Sequence, residues 1–425
     1  MWVYGGGSPM PDRQVVILGA GFGGLYAALH LERALRRERS TRIVLLDKGN
    51  YHLFLPMLHE ITSGGVEPRH VVRPLRPLFR NTRVDFRRAE VRSIDLERRR
   101  ILTDQGEVGY DYLVIALGST TNFFGVDGAA ETAFTLKSLK DAVGLRNHLL
   151  EMFERADLER DPDRRRRLLT FCLAGAGCTG VELATELQDL IQKTLLRNYP
   201  RLDGREVRLV LSEASGRIIP CVSNRLAWRG LDKLRRKGIE VRLHAPVISV
   251  SEGAVTLADG KVLPTETVVW TAGVKANPIV EGRPVEKDKL GRVIVDEYLE
   301  LPQFPGVFAL GDCAHCWDPR LQASLPPTAQ VAVQQARAVA DAIVRALRGR
   351  AKRPFVYRHR GDLVSLGSGD GVGEIGGVAF SGRPAWLLWR AVFLGKLIGW
   401  KNRIRVALDW IVGTLFERDI SKLEW

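Results

Sequence analysis

Two glycine-rich runs carry the most specific chemistry in the chain. Gly19-Ala20-Gly21-Phe22-Gly23-Gly24 and Gly175-Ala176-Gly177-Cys178-Thr179-Gly180 both follow the spacing Gly-x-Gly-x-x-Gly. In such a turn the first glycine, Gly19 or Gly175, permits a tight bend. The second, Gly21 or Gly177, lets a pyrophosphate approach the backbone. The third, Gly24 or Gly180, lets a helix pack close to its strand. A helix opening at that point offers unpaired N–H groups and positive partial charge to phosphates. An acid ending the next strand accepts hydrogen bonds from ribose hydroxyls, and Asp47 and Glu213 stand in those places. A carboxylate there repels a 2′-phosphate. No arginine directly follows Glu213, which favours NADH over NADPH, although Arg217 is near. Two such sites imply two dinucleotides, one tight and one exchangeable. A flavin and a nicotinamide form the natural pair, because hydride passes directly between their rings.

The flanking residues make these runs more than loops of structural use. QVVIL (14–18) reads as a buried strand, LYAALHLERALRRE as a helix, and TRIVLLD as a second buried strand ending at Asp47. The unit recurs as RRLLTFCLAG (166–175), VELATELQDLIQKTL and VRLVLSE. Two further stretches, RRILTDQGEVGYDYLVIALGS and GAVTLADGKVLPTETVVWTAG, each pair a hairpin with an apolar strand that ends in glycine. The predicted fold is α/β, with two Rossmann-like domains. Residues 12–128 and 275–350 form the parts of the flavin domain, 129–274 the nicotinamide domain, and 351–425 a C-terminal membrane-association region.

Composition is that of an ordinary globular chain, 45% hydrophobic and 26% charged, over 425 residues. The net charge of +14 suits nucleic acid or an anionic membrane. No nucleic-acid-binding signature accompanies it, so no nucleic-acid partner is expected. Five cysteines, an odd number spread over the chain, do not read as a disulfide framework. Cys313-Ala-His-Cys316 lacks a second pair for zinc, and no metal is expected. The first residues, MWVYGGGSPMPDR, read as a loose leader and not a signal peptide, with Met10 an alternative start.

The order of motifs resembles the two-dinucleotide-fold FAD/NAD(P) flavoprotein superfamily. Gly311-Asp312 in GVFALGDCAH resembles its second flavin signature. This implies that Asp312 holds the ribitol or pyrophosphate region of a tightly but non-covalently bound FAD. Ala116-Leu117-Gly118 resembles the superfamily's Ala-Thr-Gly turn, with leucine removing a hydroxyl. Ala272-Gly273 resembles the matching turn after the nicotinamide domain. Disulphide reductases of the superfamily carry a cysteine pair in the first flavin domain, but here no cysteine precedes Cys172. Sulfide:quinone oxidoreductases use a late cysteine, and none follows Cys316.

Three stretches resemble type II NADH:quinone oxidoreductases: residues 50–68, the run 325–336 with its Ala-Gln-x-x-x-Gln core, and the Trp- and Arg-rich tail from Gly382. The resemblance runs from about Gln14 to about Phe416. It implies that Ala329 and Gln330 lie at the isoalloxazine and that Gln334, one helical turn on, borders the quinone. It places Glu182 near the nicotinamide and flavin rings, to orient NADH or handle a proton. Read without the resemblance, Glu182 is an acid favoured by the dipole of its helix. His59 and Glu60 fall in the stretch that flanks the quinone side; a lone histidine is more often structural than catalytic, and a proton role is the alternative. Trp389 and Arg390 stand where some members place a lysine, and that role is not carried over. The implied activity is non-proton-pumping NADH:quinone oxidoreduction, with hydride passing from NADH to FAD N5 and a membrane quinone leaving as quinol. The alternatives are a soluble reductase of a ferredoxin-like acceptor and a flavin-binding redox sensor.

Quinones dissolve in membranes, so the protein must reach one. The tail has no uncharged run of the ~18–20 residues a spanning helix needs. It reads as an amphipathic helix pair, with Trp386, Trp389, Phe393, Leu397, Trp400 and Trp410 entering the headgroup boundary beside Arg390, Lys396, Lys401, Arg403 and Arg405. Peripheral, monotopic attachment to an anionic lipid surface on the cytoplasmic face is expected. The alternative uses for the tail are packing on the body and forming a homodimer.

Overall fold

The structure is a computed structural model that describes residues 13–38, 40–281 and 285–422; Met10 and the rest of the leader up to residue 12 lie outside them. Chain contacts define two units. The first holds the segment up to His52, Arg73–Thr120 and Val274–Arg358. The second holds Leu53–Val72, Thr121–Gly273 and the chain from His359. These units are bounded differently from the expected domains. Residues Leu53–Val72 and 121–128 leave the flavin half, residues 351–358 stay with it, and the tail from His359 joins the second unit instead of standing alone.

The first unit is built on a five-stranded parallel sheet in the order Val307–Ala309, Tyr112–Ile115, Arg13–Leu18, Thr41–Asp47, Val84–Arg88. Val15, Val16, Ile17 and Leu18 of the central strand are completely buried. That is why the run is continuously apolar rather than alternating. The helices Phe22–Leu35 and Ala329–Leu347 pack against each other in this unit. The expected hairpin forms as Arg100–Thr103 paired with Gly106–Gly109.

The second unit repeats the design with a four-stranded sheet, Glu240–Arg242, Arg208–Ser212, Thr170–Ala174, Thr267–Trp270. Its glycine-turn helix is Cys178–Leu190, continued by a π-helical turn at Ile191–Leu195. A meander of Val247–Ser251, Ala254–Leu257 and Val262–Pro264 supplies the second expected hairpin. The strand read over 166–175 is shorter than expected, because residues Pro162–Leu168 are helical. Asp161 accepts from the Asp163 N–H at 2.9 Å as an N-cap, and Pro162 occupies the first helical position. A second meander, Asp362–Ser365, Gly371–Ile375 and Val378–Ser381, leads into the tail helices Arg383–Lys396 and Trp400–Leu415. Among the described residues, no helix is long and apolar enough to cross a membrane.

Candidate functional site

In the first unit, Gly19 bends the chain at φ +93°. A Cβ there would sit 2.4 Å from the Ala116 carbonyl oxygen, so the turn at Ala116 packs directly on the glycine. A Cβ on Gly24 would come within 1.8 Å of the Gly19 oxygen, as a close helix–strand crossing requires. Gly21 differs, since a Cβ there would meet nothing within 4 Å. It borders open space at a helix start that no side chain caps. A helix start that borders open space fits a pyrophosphate.

Asp47 is tied to this turn. One carboxylate oxygen accepts from the Ala20 N–H at 2.6 Å and the other from the Gly49 N–H at 2.7 Å. Burial raises the Asp47 carboxyl above its ordinary range, against the pull of those two donors. Two acceptor positions of about four are thereby used, which leaves the others for ribose hydroxyls. Asp312 accepts from the Ser119 hydroxyl at 2.6 Å, one residue past Gly118, whose own Cβ position is open. Gly311 donates its N–H to the Gln335 side chain at 2.7 Å. The unit therefore brings Gly19, Gly21, Gly24, Asp47, Ala116, Gly118, Gly311 and Asp312 around one strand-end surface, with the helix starting at Ala329-Gln330 fastened to the Asp312 turn.

Two residues of that helix depart from expectation. Gln334, expected to border a quinone, donates to the Arg358 carbonyl at 2.9 Å and accepts from the Arg358 N–H at 3.1 Å. Its amide is committed to the backbone. Gln335, not singled out from sequence, is buried and positions Gly311. Adjacent glutamines in a helix look alike on paper, and only the packing distinguishes the one facing inward.

The second unit copies the first closely. Gly175 has φ +100°, and a Cβ there would lie 2.5 Å from the Ala272 Cα. A Cβ on Gly180 would lie 1.9 Å from the Gly175 oxygen. Gly177 again faces open space at an uncapped helix start. Glu213 accepts from the Ala176 N–H at 2.7 Å and the Ser215 N–H at 2.8 Å, matching Asp47 bond for bond. Gly273 packs on the Phe124 ring and accepts from the Asn122 N–H at 3.0 Å. The fit to a second dinucleotide rests on the same open glycine and free helix start.

Beyond this turn lies a buried acid cluster within the second unit. Glu182 and Glu186 are one helical turn apart on Cys178–Leu190. Glu182 accepts from the Ser365 N–H and the Trp389 indole N–H, both at 3.1 Å. His59 Nδ1 lies 3.8 Å from its other oxygen. Burial pushes the Glu182 carboxyl up to about 8, against both donors. His59 is driven down to about 4 by the same desolvation, so it is neutral near pH 7. Glu60 is also pushed up to about 8, by burial and then by the nearby Glu186, although both its oxygens accept from the Trp410 indole N–H, at 2.9 and 3.1 Å. Glu186 behaves differently. Burial alone would raise it, but the Arg418 guanidinium, 2.7 Å away, holds it below the usual carboxylate range. Two protonated acids and one ion pair therefore share a buried cluster.

The tail builds this cluster. Trp389 is 1% exposed, stacks on Phe393 at 4.5 Å and meets the His59 ring edge at 5.8 Å. Trp410 and Leu397 are buried too. These three rings and chains were expected to face lipid, and they pack inward instead. Trp400 is exposed as expected, at 75%, and the stripe continues through residues not singled out from sequence: Ile404, Leu408, Ile411, Val412 and Leu415, the last 71% exposed. Their spacing keeps them on one side of the helix Trp400–Leu415. The Arg390 guanidinium lies 3.8 Å above the Trp386 ring and 4.7 Å from that of Trp410. With Glu60, Glu186 and Arg418, these groups wall a pocket of ≈ 600 Å³.

Comparison with known proteins places this geometry. Residues 13–336 match the pyridine nucleotide-disulphide oxidoreductase family, and residues 359–419 match the NDH2 C-terminal domain. A type II NADH:quinone oxidoreductase of Mycobacterium tuberculosis is 35% identical, over 96% of this chain and 90% of that protein. One from Staphylococcus aureus is 32% identical, over 91% of this chain and 94% of its own. The solved structure of NDH2 from Plasmodium falciparum in complex with NADH superposes with a TM-score of 0.88, covering 97% of this chain and all of that one at 20% identity. At that identity the likeness concerns the fold.

The Glu186–Arg418 pair is open to a direct test. Arg418→Met leaves a buried charge without its partner, and denaturant unfolding at neutral pH should show a loss of about 3–5 kcal/mol. A carboxyl held low stabilises the fold above its unfolded pKa, and the contribution fades as pH falls. The defect should therefore shrink on acidification, and adding Glu186→Gln should restore most of the stability.

Proposed function

The chain belongs to the type II NADH:quinone oxidoreductases, and on that premise we propose that its first glycine turn holds FAD, its second holds NADH, and its tail brings the pair to a membrane quinone. The observation that carries this reading is the duplicated cradle: two uncapped helix starts, each with an open glycine and each clamped by a strand-end acid. FAD, when bound, supplies the redox chemistry by accepting hydride from NADH and delivering two electrons to a quinone. With a C-terminal domain of the NDH2 kind, a ferredoxin-reducing role is not favoured.

The protein's own residues bind, orient and manage protons. Gly19, Gly21, Gly24, Ala116, Gly118, Gly311 and Asp312 receive the flavin nucleotide, and Asp47 takes its ribose. Ala329 and Gln330 open the helix assigned to the isoalloxazine edge, and Gln334 holds that helix to Arg358. Gly175, Gly177, Gly180, Ala272, Gly273 and Glu213 receive NADH. Quinol formation needs a proton beyond the hydride. Glu182, protonated at neutral pH beside a neutral His59, is assigned to orient NADH and to keep that proton. Glu60 lines the tail pocket and is assigned to load the proton from it.

Anaerobic addition of NADH should bleach the visible flavin band of the purified protein, and a menaquinone or ubiquinone analogue should restore it where ferredoxin does not. A colourless protein that cannot be made yellow with FAD would overturn the reading.

The proton assignment has its own signature in kcat. If the protonated acid is the working form, activity should fall as pH rises through about 8. Glu182→Gln should lower kcat by roughly a hundredfold, and combined with Glu60→Gln, whose carboxyl is also pushed up to about 8, it should remove that fall. Trp389→Phe deletes an N–H that holds the carboxyl down, so the fall should move to higher pH.

Membrane attachment is assigned to the exposed stripe with Lys401 and Arg403, on the cytoplasmic face, each basic residue contributing about 1 kcal/mol near anionic lipid. Ile404→Glu/Leu408→Glu/Val412→Glu should abolish pelleting with anionic vesicles and leave flavin content and activity with a water-soluble quinone unchanged. Pelleting that survives, together with loss of a dimer on a sizing column, would assign the stripe to a second copy instead.

A further inference from the structure

Two cysteines of the second unit, Cys178 and Cys221, have no part in the chemistry above. Cys178 is the first residue of the helix Cys178–Leu190, directly after Gly177. Cys221 lies 43 residues on, exposed, in the loop that follows Glu213. Their sulfurs are 2.7 Å apart. A disulfide bond is about 2.05 Å long, so closure needs a movement of roughly 0.7 Å.

The loop is held in place on both sides of the contact. Glu213 accepts from the Ser215 N–H, and Ile219, in the left-handed region at φ +45°, donates its N–H to the Ala176 carbonyl at 2.9 Å. Ala176 is itself the turn residue whose N–H binds Glu213. Loop and turn are therefore tied to each other by these hydrogen bonds, and the two thiols meet between them.

We infer that Cys178 and Cys221 are an oxidisable dithiol that closes into a disulfide across the nicotinamide-nucleotide turn and slows the use of NADH. The inference rests on the assignment of that turn to NADH. It is distinct from the dithiol of disulphide reductases, which belongs to the flavin domain.

The two thiols have unequal surroundings. Cys221 is exposed and meets the oxidant first, while Cys178 is held protonated by its contact with Cys221 and by burial. With hydrogen peroxide as oxidant, the Cys221 sulfur attacks one peroxide oxygen, giving a sulfenic acid and one water. The Cys178 sulfur then attacks the sulfenic sulfur, forming the S–S bond and releasing the second water. Two thiols and one peroxide become one disulfide and two waters, with both electrons passing to the peroxide. Cys172, Cys313 and Cys316 stay silent, because all three are buried and burial pushes their thiols up to about 12, 11 and 11.

The cost to NADH comes from position. The N–H groups of the first helical turn, Cys178 among them, face the phosphate site. Drawing Cys178 toward the loop displaces them, and an ångström-scale shift of a positioning group is enough to change rate strongly.

The test uses the flavin-loaded protein treated with hydrogen peroxide, then alkylated, digested and mapped by mass spectrometry. The expected product is a peptide pair joined through Cys178 and Cys221, with kcat/KM for NADH lowered about tenfold and recovered on adding a thiol reductant. Cys221→Ser should keep the activity of the reduced protein and resist peroxide. Independent alkylation of both thiols after oxidation would overturn the inference, and so would a joined pair with unchanged kcat/KM. The map is read without NADH, so a protein whose flavin NADH cannot reduce would fail the assignment of the turn, while the cross-link would still report on the dithiol.

Discussion

A carboxylate clamped to the backbone of a glycine turn is the constraint on which the rest depends. A run of glycines has no side chains to define its curvature, and each residue is costly to order. Asp47 and Glu213 compensate by gripping the Ala20 and Ala176 N–H groups. The grip holds the turn in one shape with its outer edge bare. Gly21 and Gly177 can then face open space without the chain collapsing into it. The same bond appears in both units, although one acid is Asp and the other Glu. The geometry is therefore set by the backbone, and side-chain length is adjusted to it.

The second constraint is desolvation. Glu60, Glu182, Glu186 and His59 occupy a space where a bare charge is expensive. The protein resolves this in two ways. Where a guanidinium is at hand, as for Glu186, the carboxylate keeps its charge. Where only neutral N–H donors are offered, an indole for Glu60 and an indole with a backbone N–H for Glu182, the acid keeps its proton. The tryptophans that supply those donors come from a tail whose sequence reads first as a lipid anchor and second as a segment packed on the body.

Much of the architecture was legible in the sequence, because local pattern and tertiary role agree there. The runs QVVIL and TRIVLLD are parallel strands because they are apolar on both faces, and Gly19 and Gly175 take the left-handed bends their motif demands. The helix at Pro162–Leu168 was missed because its apolar end runs straight into the next strand, so the cap at Asp161 went unweighed. The tail was half legible. A helix apolar on two sides has one side for the core and one for something else, and composition does not say which. Only folding shows that Trp389 reaches Glu182 across 207 positions and Trp410 reaches Glu60 across 350. Gln335 was hidden by its neighbour Gln334, since helical phase, not residue type, separates them.

The indole donors have one more implication. Trp410 sits on the helix that displays the greasy outer stripe, and Trp389 on the helix just before it. One short stretch of chain thus serves both as a foot and as part of the acid's solvation shell. Trimming it to make the protein easier to handle in water would also remake the electrostatic interior around Glu182 and Glu60. Rates measured on a shortened version would then describe an enzyme with a different appetite for protons.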